Sequence, residues 1–190
     1  GINPYPSKSD RTHTVGDVLG GFAELENSKG RIMLAGRIMA RREHGGSIFL
    51  DLEDESGKIQ AYLKKDILGD SDFNFFMDTA DIGDFIEIYG FLFKTKKGEE
   101  TIEAEKYNIL AKALLPLPEK WGGLQDVEER LRKRYLDLIM NSAEKDIFIK
   151  KSRFWQATRE FLLKEGGLEV DTPVLEQIPG GADAEPFKTH

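Results

Sequence analysis

RIMLAGRIMARREHGGSIFLDLEDESGKIQAYLKK, residues 31–65, decides the fold. Its apolar residues recur at every second position, the period of a strand with one buried face. In the first run Ile32, Leu34, Ile38 and Ala40 share a phase. In SIFLDLE, residues 47–53, Ile48, Leu50 and Leu52 share one phase, and Phe49, Asp51 and Glu53 the other. Phe49 thus keeps company with two acids, which favours an exposed ring over a core one. DESG, residues 54–57, is a turn signature leading into a third strand, KIQAYLK.

Beyond Lys65 the period changes. DILGDSDFNFFMDTA, residues 66–80, places Phe73, Phe76 and Met77 at helical spacing. DFIEIYGFLFKT and TIEAEKYNILAKAL, residues 84–95 and 101–114, return to strands, with KKGEE as the hairpin loop between them. Three strands, a helix and two strands is the order of an OB-fold, a five-stranded Greek-key barrel whose second and third strands carry a ligand face. Gly36 and Gly90, inside long strands, suit the bends of a small barrel.

Upstream, GINPYPSKSDRTHT, residues 1–14, reads as an extended lead-in, followed by a short helix at 15–25 interrupted by Gly20 and Gly21. Downstream, LLPLPEKWGGLQD, residues 114–126, carries two prolines and two glycines and marks a domain junction. DVEERLRKRYLDLIMNS, residues 126–142, predicts one helix with Val127, Leu131, Leu138 and part of Tyr135 on its apolar side. Residues 143–167 predict a longer helix ending at Gly166 and Gly167, its buried stripe made of Ile147, Phe154, Trp155, Thr158, Phe161 and Leu162. LEVDTPVLEQI, residues 168–178, reads as a strand, with Thr172 held extended by Pro173. PFKTH at the end looks like another strand, lacking a partner, so the polypeptide looks incomplete. The expected fold class is α+β: an OB-fold barrel over 1–113, a linker over 114–125, and the beginning of a second domain over 126–190.

The 27 lysines and arginines against 34 aspartates and glutamates leave a formal charge of −7, which argues against indiscriminate nucleic-acid binding. Arg31, Arg37, Arg41 and Arg42 nevertheless form a local positive strip with no acid within residues 31–42. Such a strip suits a limited contact with a polyanion, although a solvated edge strand would look similar. Cysteine is absent, which removes disulfides and thiolate metal sites and fits a cytoplasmic protein. His13, His44 and His190 lie far apart, so no metal site is expected on them. No run approaches the roughly 18 apolar residues of a membrane span, and no signal-peptide pattern opens the chain.

Chemistry concentrates on the second and third strands. A phenyl ring at Phe49 offers a stacking surface for a base, and the amide of Gln60, eleven residues on, offers donor and acceptor together. Arg42 stands within reach of a phosphate or base. DLEDESG, residues 51–57, resembles a calcium loop only superficially: its glycine is seventh from Asp51, and the twelfth position is Tyr62 rather than Glu. No Walker loop, dinucleotide fingerprint or Ser/His/Asp constellation can be read. IPGGADAEPF, residues 178–187, is a tight loop that lets backbone approach a ligand, and most such loops are plain turns.

Four stretches carry a family resemblance: NPYP at 3–6, AGRIMARR at 35–42, LPLPEKWGGLQDVEERLRKRYLDLI at 115–139, and EVDTPVLEQIPGGADAEPFKTH at 169–190. Together they resemble the lysyl-tRNA synthetase family, class II enzymes with an N-terminal OB-fold anticodon-binding domain. RYLDLI alone also occurs in the aspartyl and asparaginyl relatives. The resemblance implies that Phe49 stacks on the middle anticodon base, that Gln60 reads it, that Arg42 belongs to the same face, and that Glu103 lies near the third base. It implies further that GLEVDTPVL, residues 167–175, with the preceding helix, is motif 1, a homodimer element marked by Pro173. The backbone of Gly181 would approach the substrate lysine. The implied activity is ATP- and Mg²⁺-dependent ligation of lysine to its tRNA through lysyl-adenylate, with the catalytic residues and the ATP-binding motifs 2 and 3 lying outside these 190 residues. The family's usual histidine is Gly122 here and its usual tyrosine is Leu131. A catalytically inactive RNA-binding module, or an aspartyl or asparaginyl enzyme, stands beside this reading as an alternative.

Overall fold

The structure, a computed structural model, describes residues 3, 5–118 and 124–173. The chain divides into two compact units, Gly1–Leu117 and Pro118–His190.

In the first unit the alternating runs form strands: β1 (Ile32–His44), β2 (Ser47–Glu53), β3 (Lys58–Lys64), β4 (Phe85–Lys94) and β5 (Glu100–Ala111). They close into a barrel in the order β1-β2-β3-β5-β4, with β4 returning to pair with β1. Only the β3–β5 pairing is parallel. Closure matters energetically, because every strand then has two neighbours and no ladder is left open. Ile48, Leu50 and Leu52 of β2 and Ala61 and Leu63 of β3 point inward and are fully enclosed. Each of these leucines and the isoleucine contributes about 1.5–3 kcal/mol by leaving water.

Between β3 and β4 lie α3 (Lys65–Leu68) and α4 (Asp70–Thr79). Phe73 and Phe76 of α4 join the barrel core, and Phe76 meets the Tyr107 ring edge-on at 4.9 Å. Burial first, and then the charge of Asp72, push the Tyr107 pKa up to about 12, while the Tyr107 hydroxyl donates to the Asp72 carbonyl. Ahead of the barrel, α1 (Val15–Gly20) and α2 (Phe22–Ser28) are separated at Gly21, as the paired glycines predict. Thr14 and Asp17 form a reciprocal capping box at the start of α1.

Three register shifts shape the sheet. A bulge in β1 between Ile38 and Ala40 reverses the strand's inside–outside phase. Ala40 therefore pairs with outward-facing Asp51, whereas the sequence pattern placed it with Ile38 on the inner face. The other two lie between β4 and β5, where Leu110 and Glu105 of β5 are the extra residues. Beside the latter a Cβ on Gly90 would lie 1.8 Å from the Glu103 carbonyl oxygen, so only glycine allows β5 this close.

The second unit departs further from expectation. Residues 126–142 do not make one helix. They split into α5 (Val127–Arg132) and α6 (Arg134–Met140), with Lys133 out of helical geometry between them. The expected apolar side is not enclosed: Val127, Leu131 and Tyr135 are exposed. The enclosed residue is Asp137, which accepts from Arg130 at 2.8 Å, from Asn141 at 2.7 Å, and from Arg134. An unbroken helix would hold residues 130 and 137 about 10 Å apart along its axis. The break at Lys133 brings them together. Hydrogen bonding from Arg130 is the main reason Asp137 titrates below its ordinary range, with Asn141 and the charge of Arg134 adding to it against burial.

α7 (Ser142–Lys164) forms over the predicted span, yet Ile147, Phe154, Trp155, Phe161 and Leu162 are exposed rather than buried. One amphipathic helix cannot cover its own apolar stripe. Residues 168–173 form no strand, which corrects that expectation for the described part of the segment. An extended run without a neighbour has no ladder to join.

Candidate nucleic-acid interface

Strand register assembles the site. Across the barrel's outer face Arg42 pairs with Phe49, Phe49 with Tyr62, Tyr62 with Glu103, and Glu103 with Phe91. One row thus runs over all five strands. Arg42 is in it only because of the β1 bulge. Without the extra residue its even-numbered phase, shared with Ile32, Leu34 and Ile38, would point it into the core.

Phe49 is half-buried and stacks on Tyr62, with ring centroids 4.6 Å apart and planes 25° off parallel. His44 approaches Phe49 edge-on at 6.4 Å, and Phe93 of β4 lies 6.1 Å from Tyr62. The outer face of β2, β3 and β4 therefore carries adjoining aromatic rings, the kind of surface on which unpaired bases stack.

Gln60 sits one pair along from Phe49, opposite Asp51 and Thr101. Its Nε2 donates to Glu99 Oε2 at 2.9 Å, and its Oε1 accepts from Thr101 Oγ1 at 3.1 Å. An amide carries two N–H donors and two acceptor lone pairs, so one of each remains for a ligand. Arg42 donates to Asp51 Oδ1 at 3.0 Å while Lys58 reaches Asp51 Oδ2 at 3.3 Å. At the far end of the row, burial raises the pKa of Glu103, opposed by the charge of Lys64 and reinforced by Glu105.

The positive strip does not persist as a unit in the folded barrel. Arg31 is paired with Glu105 at 2.9 Å. Arg37 donates to the Gly83 carbonyl and lies 4.2 Å from the centre of the Phe85 ring. Arg41 donates to the carbonyls of Ala80 and Met77. Three of the four arginines are thus tied into the barrel's own structure, and Arg42 alone shares the face of Phe49.

The acidic turn has a structural task. Asp54 accepts from the backbone of Val15, Ser56 and Gly57 and from the Ser56 hydroxyl, joining α1 to the β2–β3 turn. Burial opposes its ionisation, but these bonds together outweigh burial and hold its pKa below the ordinary value. Among the described residues no cluster of His, Asp or Glu could hold a metal ion, and no helix is long and apolar enough to cross a membrane.

Sequence reading singled out neither Tyr62 nor Glu99. Tyr62 shares Gln60's strand phase, so alternation alone flags it as outward-facing. Glu99 falls in the KKGEE loop, where nothing local indicates that it will reach Gln60. Pro173 is exposed, and Gly181 lies outside the described residues.

Comparison with known proteins agrees with this architecture. Residues 32–110 match the family model of the OB-fold nucleic acid binding domain, and residues 126–190 that of class II tRNA synthetases (D, K and N). A lysine–tRNA ligase of Carboxydothermus hydrogenoformans is 48% identical over 190 residues, all of this chain and 38% of that protein. Those of Roseiflexus castenholzii and Bacillus subtilis are 47% and 44% identical, again over all of this chain and 39% of each protein. Over its whole length, this chain is similar to these lysine–tRNA ligases. It spans less than two-fifths of the length of these lysyl relatives. Within that span an OB-fold nucleic acid binding domain precedes a segment matching class II tRNA synthetases (D, K and N).

Proposed function

We propose that this chain is the anticodon-reading and motif 1 portion of a lysine–tRNA ligase. The enzyme would join lysine to its tRNA through lysyl-adenylate and act as a cytoplasmic homodimer. Residues 1–113 would bind the anticodon, 114–125 link, and 126–190 open the catalytic domain, with Pro173 in the dimer element and the backbone of Gly181 near lysine. ATP and Mg²⁺ belong to the activity of the whole enzyme, and no residue of this chain is assigned to hold either.

The observation that carries the proposal is the outer-face row. Phe49 offers a half-buried ring, and Gln60 beside it keeps one donor and one acceptor after Glu99 and Thr101 have used the others. Lysine codons have A in the middle, so the anticodon presents U there. The N3–H and O4 of uracil complement an amide's oxygen and nitrogen. Aspartate and asparagine anticodons share that middle U. Discrimination among the three amino acids therefore falls to the flanking positions, and Glu103 is proposed to face the third.

The test is binding of the chain to RNA stem-loops by titration. A lysine anticodon loop should bind more tightly than a loop whose middle base is changed, and Gln60→Glu should erase that difference. Equal affinity of the unaltered chain for both loops would refute the assignment.

A further inference from the structure

Tyr62 has no part in the reading above, yet it occupies the centre of the row. It is directly opposite Phe49 on one side and Glu103 on the other. Its ring covers one face of Phe49 at 4.6 Å, and Phe93 backs it from β4 at 6.1 Å. A phenyl ring on the outside of a barrel lacks the packing that fixes core rotamers, and immobilising it when RNA arrives costs conformational entropy. The three-ring arrangement removes that freedom in advance. It also leaves only the face of Phe49 turned away from Tyr62 for a stacked base. That is the side of Arg42 and His44.

We propose that Tyr62 is a positioning residue for RNA recognition: its ring, wedged between Phe49 and Phe93, holds Phe49 in place for base stacking. The proposal rests on the anticodon reading and extends it to a residue that acts through another. The competing account is a cross-strand aromatic pair that only steadies the sheet.

A double-mutant cycle on the whole chain separates them, with a lysine anticodon stem-loop as the probe and thermal unfolding of each variant as the control. Phe49→Ala removes the stacking surface. Tyr62→Leu fills similar space without a ring, and Tyr62→Phe keeps the ring and drops the hydroxyl. Tyr62→Leu should weaken binding roughly twofold to tenfold, the cost of ordering one side chain on binding. Tyr62→Phe should stay within about twofold of the unaltered chain, because the ring carries the contact. In the Phe49→Ala background, Tyr62→Leu should cost nothing further. Undiminished binding by Tyr62→Leu overturns the proposal, and losses that multiply in the double variant overturn it too, since Tyr62 would then act independently of Phe49. A shift in melting temperature with unchanged affinity supports the sheet-steadying account instead. If Phe49→Ala itself binds normally, the stacking reading fails first, whatever Tyr62 does.

Discussion

In the barrel Leu50, Ile86 and Ile102 are fully enclosed, whereas in α7 Phe154, Trp155 and Phe161 are 64%, 56% and 61% exposed. Both regions carry a periodic apolar pattern that reads equally well in sequence. The difference is closure. Five strands joined in a ring bury their common inner face against one another, and α4 caps the interior with Phe73 and Phe76. A lone helix has one stripe and needs a second surface to cover it. The helices before α7 hold together differently again, around Asp137 and its arginines rather than an apolar centre. The barrel encloses its apolar pattern within its own unit, whereas α7 leaves its stripe exposed.

The sharpest way to break this contrast is paired truncation. Leu50→Ala should destabilise the barrel by about 2–5 kcal/mol, while Trp155→Ala should change the stability of this chain by no more than about 0.5 kcal/mol. Urea unfolding monitored separately in the two units would measure both, and similar losses would contradict the idea that α7 is uncovered. Next in size, Phe49→Ala should weaken binding to a lysine anticodon stem-loop by roughly 1–3 kcal/mol, with a barrel-stability loss of only about 1 kcal/mol from the Tyr62 contact, well below that of Leu50→Ala. That result would separate the barrel's outer, ligand-facing aromatics from its inner, stabilising ones.

A third comparison uses pH. The folded-state pKa of Asp137 is depressed from its ordinary 3.8, chiefly by Arg130. A depressed carboxylate adds stability that is present above its unfolded pKa and lost as pH falls through the folded value. Residue-resolved hydrogen exchange should therefore show α5 and α6 loosening on acidification below about pH 4. Asp137→Asn should remove that dependence. Persistence of the acid effect in the variant would assign it elsewhere. The smallest effect concerns the arginines. Arg42→Ala should lower the salt dependence of RNA binding by about 0.7 in log–log slope, one phosphate's share for a single strand. Arg31→Ala should leave the slope unchanged, because Arg31 lies before β1, outside the row that carries Arg42 and Phe49. Equal changes would restore the positive strip as a unit.

Much of the barrel was legible because period-two burial is local. Ile48, Leu50 and Leu52 face in, and Phe49 faces out, as alternation requires. Phe73 and Phe76 likewise declare the capping helix. The site was legible in part: Phe49 and Gln60 follow from strand phase and the family resemblance together. Glu99 was not, since a turn residue reaches Gln60 only after β4 and β5 have folded back. The break at Lys133 was equally hidden, because RKR contains no helix breaker and the split serves a long-range cluster on Asp137.

By itself, then, the sequence determined the strand order, the inner face of the barrel and the outward Phe49, all consequences of residue periodicity. The tertiary structure decided which arginine stands in the row of Phe49. Four look alike in the sequence, but Arg31, Arg37 and Arg41 are taken up by a carboxylate and by backbone carbonyls that other elements bring to them. It also decided where Arg42 points. One extra residue in β1 reverses the phase of the strand beyond it and carries Arg42 from the inner face to the row beside Phe49. A bulge is a property of two paired strands, and so it cannot be read from either strand alone.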